Sequence, residues 1–133
     1  CTYADPELAQ VGLTEQAARA RGIEGLQVLR WPMADNDRAR TERRTEGLVK
    51  IVADRRGRLL GASIVAPHAG ELIQTWGLAL QAGLKLSALA GAVSPYPTLG
   101  EAGKRAASSF YAPKLFGPAA RTAVRWLSRL PAW

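Results

Sequence analysis

Cysteine is nearly absent from this sequence, since Cys1 is the only one among 133 residues. A single cysteine excludes an intrachain disulfide, a redox-active cysteine pair and a metal cage built from thiolates. Histidine also occurs once, as His68, which follows a proline and precedes a helical pattern. That placement is typical of a turn residue at the surface, so the sequence predicts no metal site.

Long apolar runs are missing as well, because none approaches the roughly 20 residues that cross a bilayer. The start of the chain has neither an initiator methionine nor the basic and then apolar layout of a signal peptide. The lack of any possible intrachain disulfide fits a cytoplasmic origin. A chain that begins with Cys1 and runs straight into structured-looking sequence is expected to be a piece of a longer one.

A Gly-x-Gly-x-x-Gly turn after a strand is also absent. Such a turn places backbone N–H groups against the phosphates of a dinucleotide, so the chain is expected to bind no dinucleotide alone. Hydrophobic residues nevertheless make up 47% of the chain, which is enough for one domain with a core of its own.

The net charge of +7 is concentrated in residues 36–58 and in residues 104–133, and the second stretch contains no acidic residue. The first stretch contains an arginine cluster that alternates with glutamates and lacks interleaved aromatic residues: Arg38, Arg40, Arg43 and Arg44. This pattern is typical of a solvated loop. A small basic nucleic-acid-binding module is the alternative, but the sequence has no helix-turn-helix pattern, aromatic platform or zinc site. We therefore expect no nucleic-acid partner.

Four short segments have the composition of β-strands: Leu8–Gly12, Gln27–Trp31, Leu48–Ala53 and Leu59–Val65. The last two flank Asp54–Arg58, which is typical of a hairpin turn with a glycine at positive φ. The polar, arginine-rich residues 34–46 are predicted to be a loop.

Helical patterns dominate the second half of the chain. A short helix capped by Thr14 and ended by Gly22 lies between the first two strands. Further helices are predicted over residues 69–82, 84–93, 98–110 and from Pro118 to about Leu130. Strands followed by helices predict an α+β fold, with a mainly antiparallel sheet and helices packed on one side.

Residues 118–133 are predicted to be an amphipathic tail after a domain over residues 1–117. The predicted helix places its basic residues on one face: Arg121, Arg125 and Arg129. Its apolar residues form a facing stripe: Val124, Leu127 and Leu130, with Trp126 nearby. Such a helix docks on its own domain or on a partner subunit, or it lies on a membrane surface. Its length of about three and a half turns offers little area for firm membrane binding, which favours docking.

Three stretches of the sequence together resemble one family. They are YADPELAQVGLT at 3–14; TEGLVKIV at 45–52 with LGA at 60–62 and AGELI at 69–73; and YPTLGE at 96–101. In this order they are similar to the C-terminal dimerisation domain of the pyridine nucleotide-disulfide oxidoreductases, a family that includes dihydrolipoamide dehydrogenase, glutathione reductase and mercuric reductase. The resemblance covers about residues 2–111.

The resemblance implies a larger homodimeric enzyme with an FAD domain, an NAD(P)H domain and this domain. In that family, electrons pass from NAD(P)H through FAD to a redox-active disulfide and then to substrate. This chain would hold the dimer together, would bind neither cofactor alone and would be inactive alone. The self-interface is expected on the predicted helix over residues 98–110 and on the apolar helix over residues 69–82, the latter through four residues: Leu72, Ile73, Trp76 and Leu80.

The resemblance also implies that a loop of Tyr96, Pro97 and Thr98 lies beside the FAD of the partner subunit. Tyr96 and Glu101 stand where other branches of the family have a His-Glu proton-transfer pair. A phenol ionises near pH ~10 and an imidazole near ~6.5, so Tyr96 is a poor base at neutral pH. A tyrosine here is similar to the mercuric reductase branch. The tail lacks that branch's cysteine pair, so mercury reduction is not supported.

Glu101 also has a purely structural interpretation. The spacing Thr98-x-x-Glu101 is that of a capping box, in which the threonine hydroxyl and the glutamate carboxylate each accept a hydrogen bond from a backbone N–H of the helix start. For Tyr96, the alternative to an orientation toward an active site is packing under its own loop.

Overall fold

A computed structural model describes residues 1–113 and 117–128. Within them, the strands form one antiparallel sheet of order β1-β4-β3-β2. The strands are β1 (Glu7–Gly12), β2 (Gln27–Pro32), β3 (Leu48–Ala53) and β4 (Leu59–Ala66). The helices are α1 (Glu15–Ala20), α2 (Asp37–Thr41), α3 (Ala69–Gln81), α4 (Leu86–Gly91), α5 (Glu101–Ser109) and α6 (Pro118–Leu127). The predicted α+β fold with an antiparallel sheet is confirmed.

One face of the sheet carries the core. The register pairs Val49 with Ile64 and Ile51 with Ala62, and all four side chains are buried. Helix α3 packs over β1 and β4, and α5 packs over β2 and β3. Full burial of an aliphatic side chain of this size contributes about 1.5–3 kcal/mol, so this face supplies much of the stability.

The opposite face of the sheet carries charge. Arg30 and Lys50 are directly paired across β2 and β3, which would place like charges side by side. Helix α1 sets Glu15 between them, with its carboxylate 2.6 Å from Arg30 Nη2 and 3.6 Å from Lys50 Nζ. A hydrogen bond from Arg19, together with these neighbouring positive charges, lowers the pKa of Glu15 below its ordinary value. Glu15 thus offsets the repulsion across the two strands.

The prediction that residues 34–46 form only a loop is wrong. A 3-10 turn covers Met33–Asp35, and α2 follows directly. Asn36 caps α2, since its Oδ1 accepts a hydrogen bond of 2.9 Å from Ala39 N. The polar composition concealed the turn and the helix, because the fully buried apolar residues of the two elements are only Met33 and Ala39.

Three arginines of this segment form ion pairs at the surface. Arg38 pairs with Glu42, Arg40 lies 3.5 Å from Asp35, and Arg44 pairs with Asp5. Exposed pairs of this kind contribute about 0–1 kcal/mol each, so they matter little for folding. They do neutralise much of the local positive charge, in agreement with the expected solvated cluster.

The last helix, α6, is exposed where its side chains are described. These exposed residues include Arg121, Val124, Arg125 and Trp126. Arg129 and Leu130, which the sequence assigned to the same two faces, lie outside the described residues. No helix in the described ranges is long and apolar enough to cross a membrane.

Candidate functional site

The loop between α4 and α5 holds the motif Ser94-Pro95-Tyr96-Pro97-Thr98. The Tyr96–Pro97 peptide bond is cis. Thr98 closes the turn, because its Oγ1 donates a hydrogen bond of 2.9 Å to the carbonyl oxygen of Pro95. The two prolines lack N–H groups, so the threonine hydroxyl supplies a contact that the backbone here lacks.

Asn36 ties this loop to the body of the domain. Its Nδ2 donates a hydrogen bond of 3.0 Å to the carbonyl oxygen of Thr98, while its Oδ1 caps α2. Asn36 is the buried polar residue in the described core, and both ends of its amide are satisfied. A buried amide with both hydrogen bonds formed fixes its neighbours firmly, because breaking either hydrogen bond would leave a polar atom buried without a partner.

Tyr96 stands at the tip of the loop with 67% of its surface exposed. Its hydroxyl donates a hydrogen bond of 2.9 Å to Asp37 Oδ2, at the start of α2. This hydrogen bond, the charge of Asp37 and a smaller effect of Glu101 raise the pKa of the Tyr96 phenol above its ordinary value. The phenol is therefore neutral at physiological pH and cannot act as a base there.

The Asp37→Asn variant should lower the pKa of Tyr96, because an amide still accepts the hydrogen bond but carries no charge that opposes phenolate formation. The measurement is an ultraviolet titration of phenolate absorbance, with Tyr96→Phe subtracted to isolate this residue. Asp35→Asn is the matched control, since Asp35 pairs with Arg40 instead. Equal phenol titrations in the two asparagine variants would contradict this geometry.

Glu101 does not form the predicted capping box. Its carboxylate accepts from Arg105, at 3.1 Å from Nε and 2.9 Å from Nη2. The Thr98 hydroxyl is turned to Pro95, and α5 starts only at Glu101 with Gly100 as its cap. The intervening residues form a turn before the helix, which moves Thr98 out of the capping position.

A cleft of about 370 Å³ opens beside the loop. Its walls come from α3, from the loop and from the sheet: Leu72, Trp76, Val93, Pro95, Val49 and Ile64. Helices α5 and α3 approach closely beside the cleft, since a Cβ at Gly103 would lie 3.0 Å from Trp76 Cζ2. The result is a mainly apolar groove next to an exposed phenol.

The four residues expected at a self-interface lie on α3 and all pack against the chain's own core. Leu72, Ile73 and Leu80 are partly buried, whereas Trp76 keeps only 4% of its surface. The exposed apolar side chains in this region are instead Leu78, at 68%, and Val93, at 97%. Periodicity did not single out Leu78, because α3 is apolar on nearly every side, and Val93 lies after the end of α4.

Metal-binding geometry is not found in the described part of the chain, where no three His, Cys, Asp or Glu side chains cluster. His68 is exposed at the start of α3 with a φ of 58°, which agrees with the expected turn residue. Sequence reasoning missed Asn36 and Asp37. An asparagine followed by an aspartate is a signal for a helix start, and it was available here.

The fold is shared with known proteins. Residues 1–107 match the family model of the pyridine nucleotide-disulphide oxidoreductase dimerisation domain. The chain belongs to this family. The resemblance carried by the three motifs is thereby confirmed.

Named relatives agree with this assignment. Dihydrolipoyl dehydrogenase 2 of Haloarcula marismortui is 44% identical over 108 residues, which are 80% of this chain and 23% of that protein. Leghemoglobin reductase of Glycine max is 40% identical over 110 residues, which are 82% of this chain and 21% of that protein. The chain therefore spans less than a quarter of the length of these relatives.

Solved structures show the same fold. LpdA from Mycobacterium tuberculosis superimposes with a TM-score of 0.76 at 30% identity, over 80% of this chain and 23% of that one. The Cu(II) complex of the flavoprotein disulfide reductase RclA from Escherichia coli gives a TM-score of 0.77 at 32% identity, over 80% of this chain and 24% of that one.

Proposed function

We propose that the chain is the self-associating part of a larger homodimeric enzyme that uses FAD and NAD(P)H, and that its Tyr-Pro-Thr loop serves the partner subunit's flavin. Family membership supports the first part. The second part is carried by one observation: an exposed phenol sits on a loop that Asn36 and Asp37 fix in place. An exposed aromatic residue held this firmly is poised for a partner outside the chain.

Self-association is proposed on the surface formed by α3 and the loop. Leu78 and Val93 are the strongly exposed apolar residues of this region. Thr75 lines the cleft and lies one helical turn before Leu78, so the apolar surface continues along α3 from the groove. This apolar surface is bordered by the partly buried side chains of Leu72, Ile73 and Leu80. A permanent dimer buries apolar surface of this kind.

Leu78→Glu is expected to shift the chain from dimer toward monomer without unfolding it. A carboxylate at an apolar contact would have to be desolvated in the dimer, whereas in the monomer it stays in water. Light scattering reports the mass, and circular dichroism reports the fold. Tyr3→Glu is the control, because Tyr3 is exposed at the chain's start. Unchanged mass in a folded Leu78→Glu variant would reject this contact.

In the whole enzyme, the flavin would supply electron transfer, and this chain would supply positioned groups beside it. The Tyr96 proton is engaged by Asp37, so the phenol oxygen offers its lone pairs as hydrogen-bond acceptors. Pro97 and Thr98 would hold the ring in place, and Glu101 would act from a distance by favouring the neutral phenol. The proposed role is to bind and orient a reacting group rather than to remove a proton from it.

Tyr96→Phe in the full-length enzyme should slow flavin reoxidation by the electron acceptor on the order of 10-fold, the effect of losing one hydrogen bond in the transition state. The ring stays, so dimer mass should not change. Stopped-flow absorbance of the flavin measures the rate, and Tyr3→Phe is the matched control. If Tyr96→Phe and Tyr96→Ala both leave reoxidation unchanged, the proposed role of the loop is wrong.

A further inference from the structure

Helix α6 lies outside the part of the chain that the family accounts for. The family match ends at residue 107, and α6 starts at Pro118. Among the described residues, the sheet, the core and the Tyr96 loop are built by contacts from other elements. The family match therefore gives no reason for this helix, and a separate role can be sought for it.

The C-terminal part of the chain, which includes α6, carries positive charge only. Glu101 is the last acidic residue of the chain, and residues 104–133 contain six basic residues. In α6, Arg121 and Arg125 are exposed and lie one turn apart, so both guanidinium groups are available on one side of the helix. A partner for this surface should carry negative charge.

The same helix exposes large apolar side chains. Val124 keeps 65% of its surface and Trp126 keeps 66%. A tryptophan has an apolar ring and one N–H donor, so it is well suited to the boundary between lipid headgroups and acyl chains. The described structure leaves both side chains open to solvent.

We propose that α6 lies flat on anionic lipid bilayers, with its arginines on the headgroups and Trp126 inserted below them. Cationic and apolar groups on one short helix are the combination that lipid surfaces select. Nucleic acid would use the arginines and leave Val124 unexplained. A protein groove would use Val124 and Trp126 and leave the absence of acidic residues unexplained.

A single copy of α6 is too short for firm membrane binding, so the second copy in a dimer is expected to strengthen the binding. Each arginine near an anionic surface strengthens binding about fivefold, and two give roughly 25-fold. A dimer carries two copies of α6, so binding of the second helix becomes intramolecular and reinforces the first. This step rests on the self-association proposed above, whereas the lipid preference of a single helix does not.

The test is vesicle flotation of the 133-residue chain with phosphatidylcholine vesicles that contain or lack phosphatidylserine. We expect flotation only with phosphatidylserine, weakening as salt rises because screening shortens the reach of the charges. Arg121→Glu with Arg125→Glu should reduce binding at least about 25-fold. The matched control is Arg55→Glu with Arg56→Glu, which makes the same charge change at exposed residues of the β3–β4 turn and should still float.

Two further variants separate the possible outcomes. Trp126→Ala should weaken flotation without changing the circular dichroism spectrum. Leu78→Glu, if monomeric by light scattering, should bind more weakly than the dimer but with the same lipid preference, so failure of self-association and failure of lipid binding are distinguishable. Equal flotation with neutral vesicles, no flotation at all, or a loss of dimer mass when residues 118–133 are removed would each overturn the proposal; the last would assign α6 to docking on a second copy.

Discussion

Replacing Gly47 with alanine is expected to remove much of the stability of the fold. Gly47 has a φ of +102°, and a Cβ added there would lie 1.9 Å from the carbonyl oxygen of Val65. That oxygen belongs to a backbone held in the sheet, because Val65 is paired with Leu48 on one side and Leu8 on the other. Neither strand can move without breaking its ladder. We expect a loss on the order of 3 kcal/mol or more, out of a typical total of about 5–15 kcal/mol.

Gly83→Ala provides the matched control for this prediction. Gly83 also has a positive φ, of +64°, but a Cβ there would meet nothing within 4 Å. It should therefore show only the conformational cost, about 1–2 kcal/mol. Urea unfolding midpoints of the two variants, compared at equal slope, measure the difference. Equal midpoints would show that contact with Val65 does not constrain Gly47.

Trp76→Ala should cost about 3–5 kcal/mol, the usual cost of truncating a large buried aromatic residue. The ring is 4% exposed and fills the space between α3 and α5, close against Gly103. Because Trp76 is part of the chain's own core, loss of dimer in such a variant would follow from unfolding and would not identify an interface.

A Leu78 variant is the control for the Trp76 prediction. Leu78→Ala, on the exposed side of the same helix, should cost less stability than Trp76→Ala, because the chain's own fold leaves Leu78 68% exposed. Denaturant unfolding at equal protein concentration compares the two variants. A Trp76→Ala loss as small as that of Leu78→Ala would mean that α3 does not pack on the sheet through this ring.

The strands and the β3–β4 hairpin were predictable because their signals are local. Asp54–Arg58 has the residues of a tight turn, and in the structure Asp54 Oδ1 accepts hydrogen bonds from the backbone N–H groups of Arg56 and Arg58. The β3–β4 hairpin follows from that turn. The pairing of β1 with β4 joins segments about fifty residues apart, and no local pattern in the sequence specifies it.

The site was only partly predictable, for the same reason. The motif predicted Tyr96, Pro97 and Thr98 as site residues, and that assignment stays a prediction. The hydrogen bond from the Tyr96 hydroxyl to Asp37 joins positions 59 residues apart in the chain. The capping box at Thr98 and Glu101 has the right spacing, but the turn between them delays the start of α5. The Thr98-x-x-Glu101 spacing produces a capping box only if the helix starts directly after Thr98.

The electrostatics of Tyr96 also required the folded chain. Its residue type predicts a poor base, and Asp37 makes ionisation harder still, because its carboxylate accepts a hydrogen bond from the neutral phenol and its negative charge repels a phenolate. This strengthens the distinction from a His-Glu pair, because the loop presents a neutral phenol.

Self-association of this chain is the claim on which the account most depends, and light scattering over a dilution series tests it most directly. The account predicts a mass of twice 14.3 kDa that persists on dilution. A folded chain of 14.3 kDa at every concentration would contradict it.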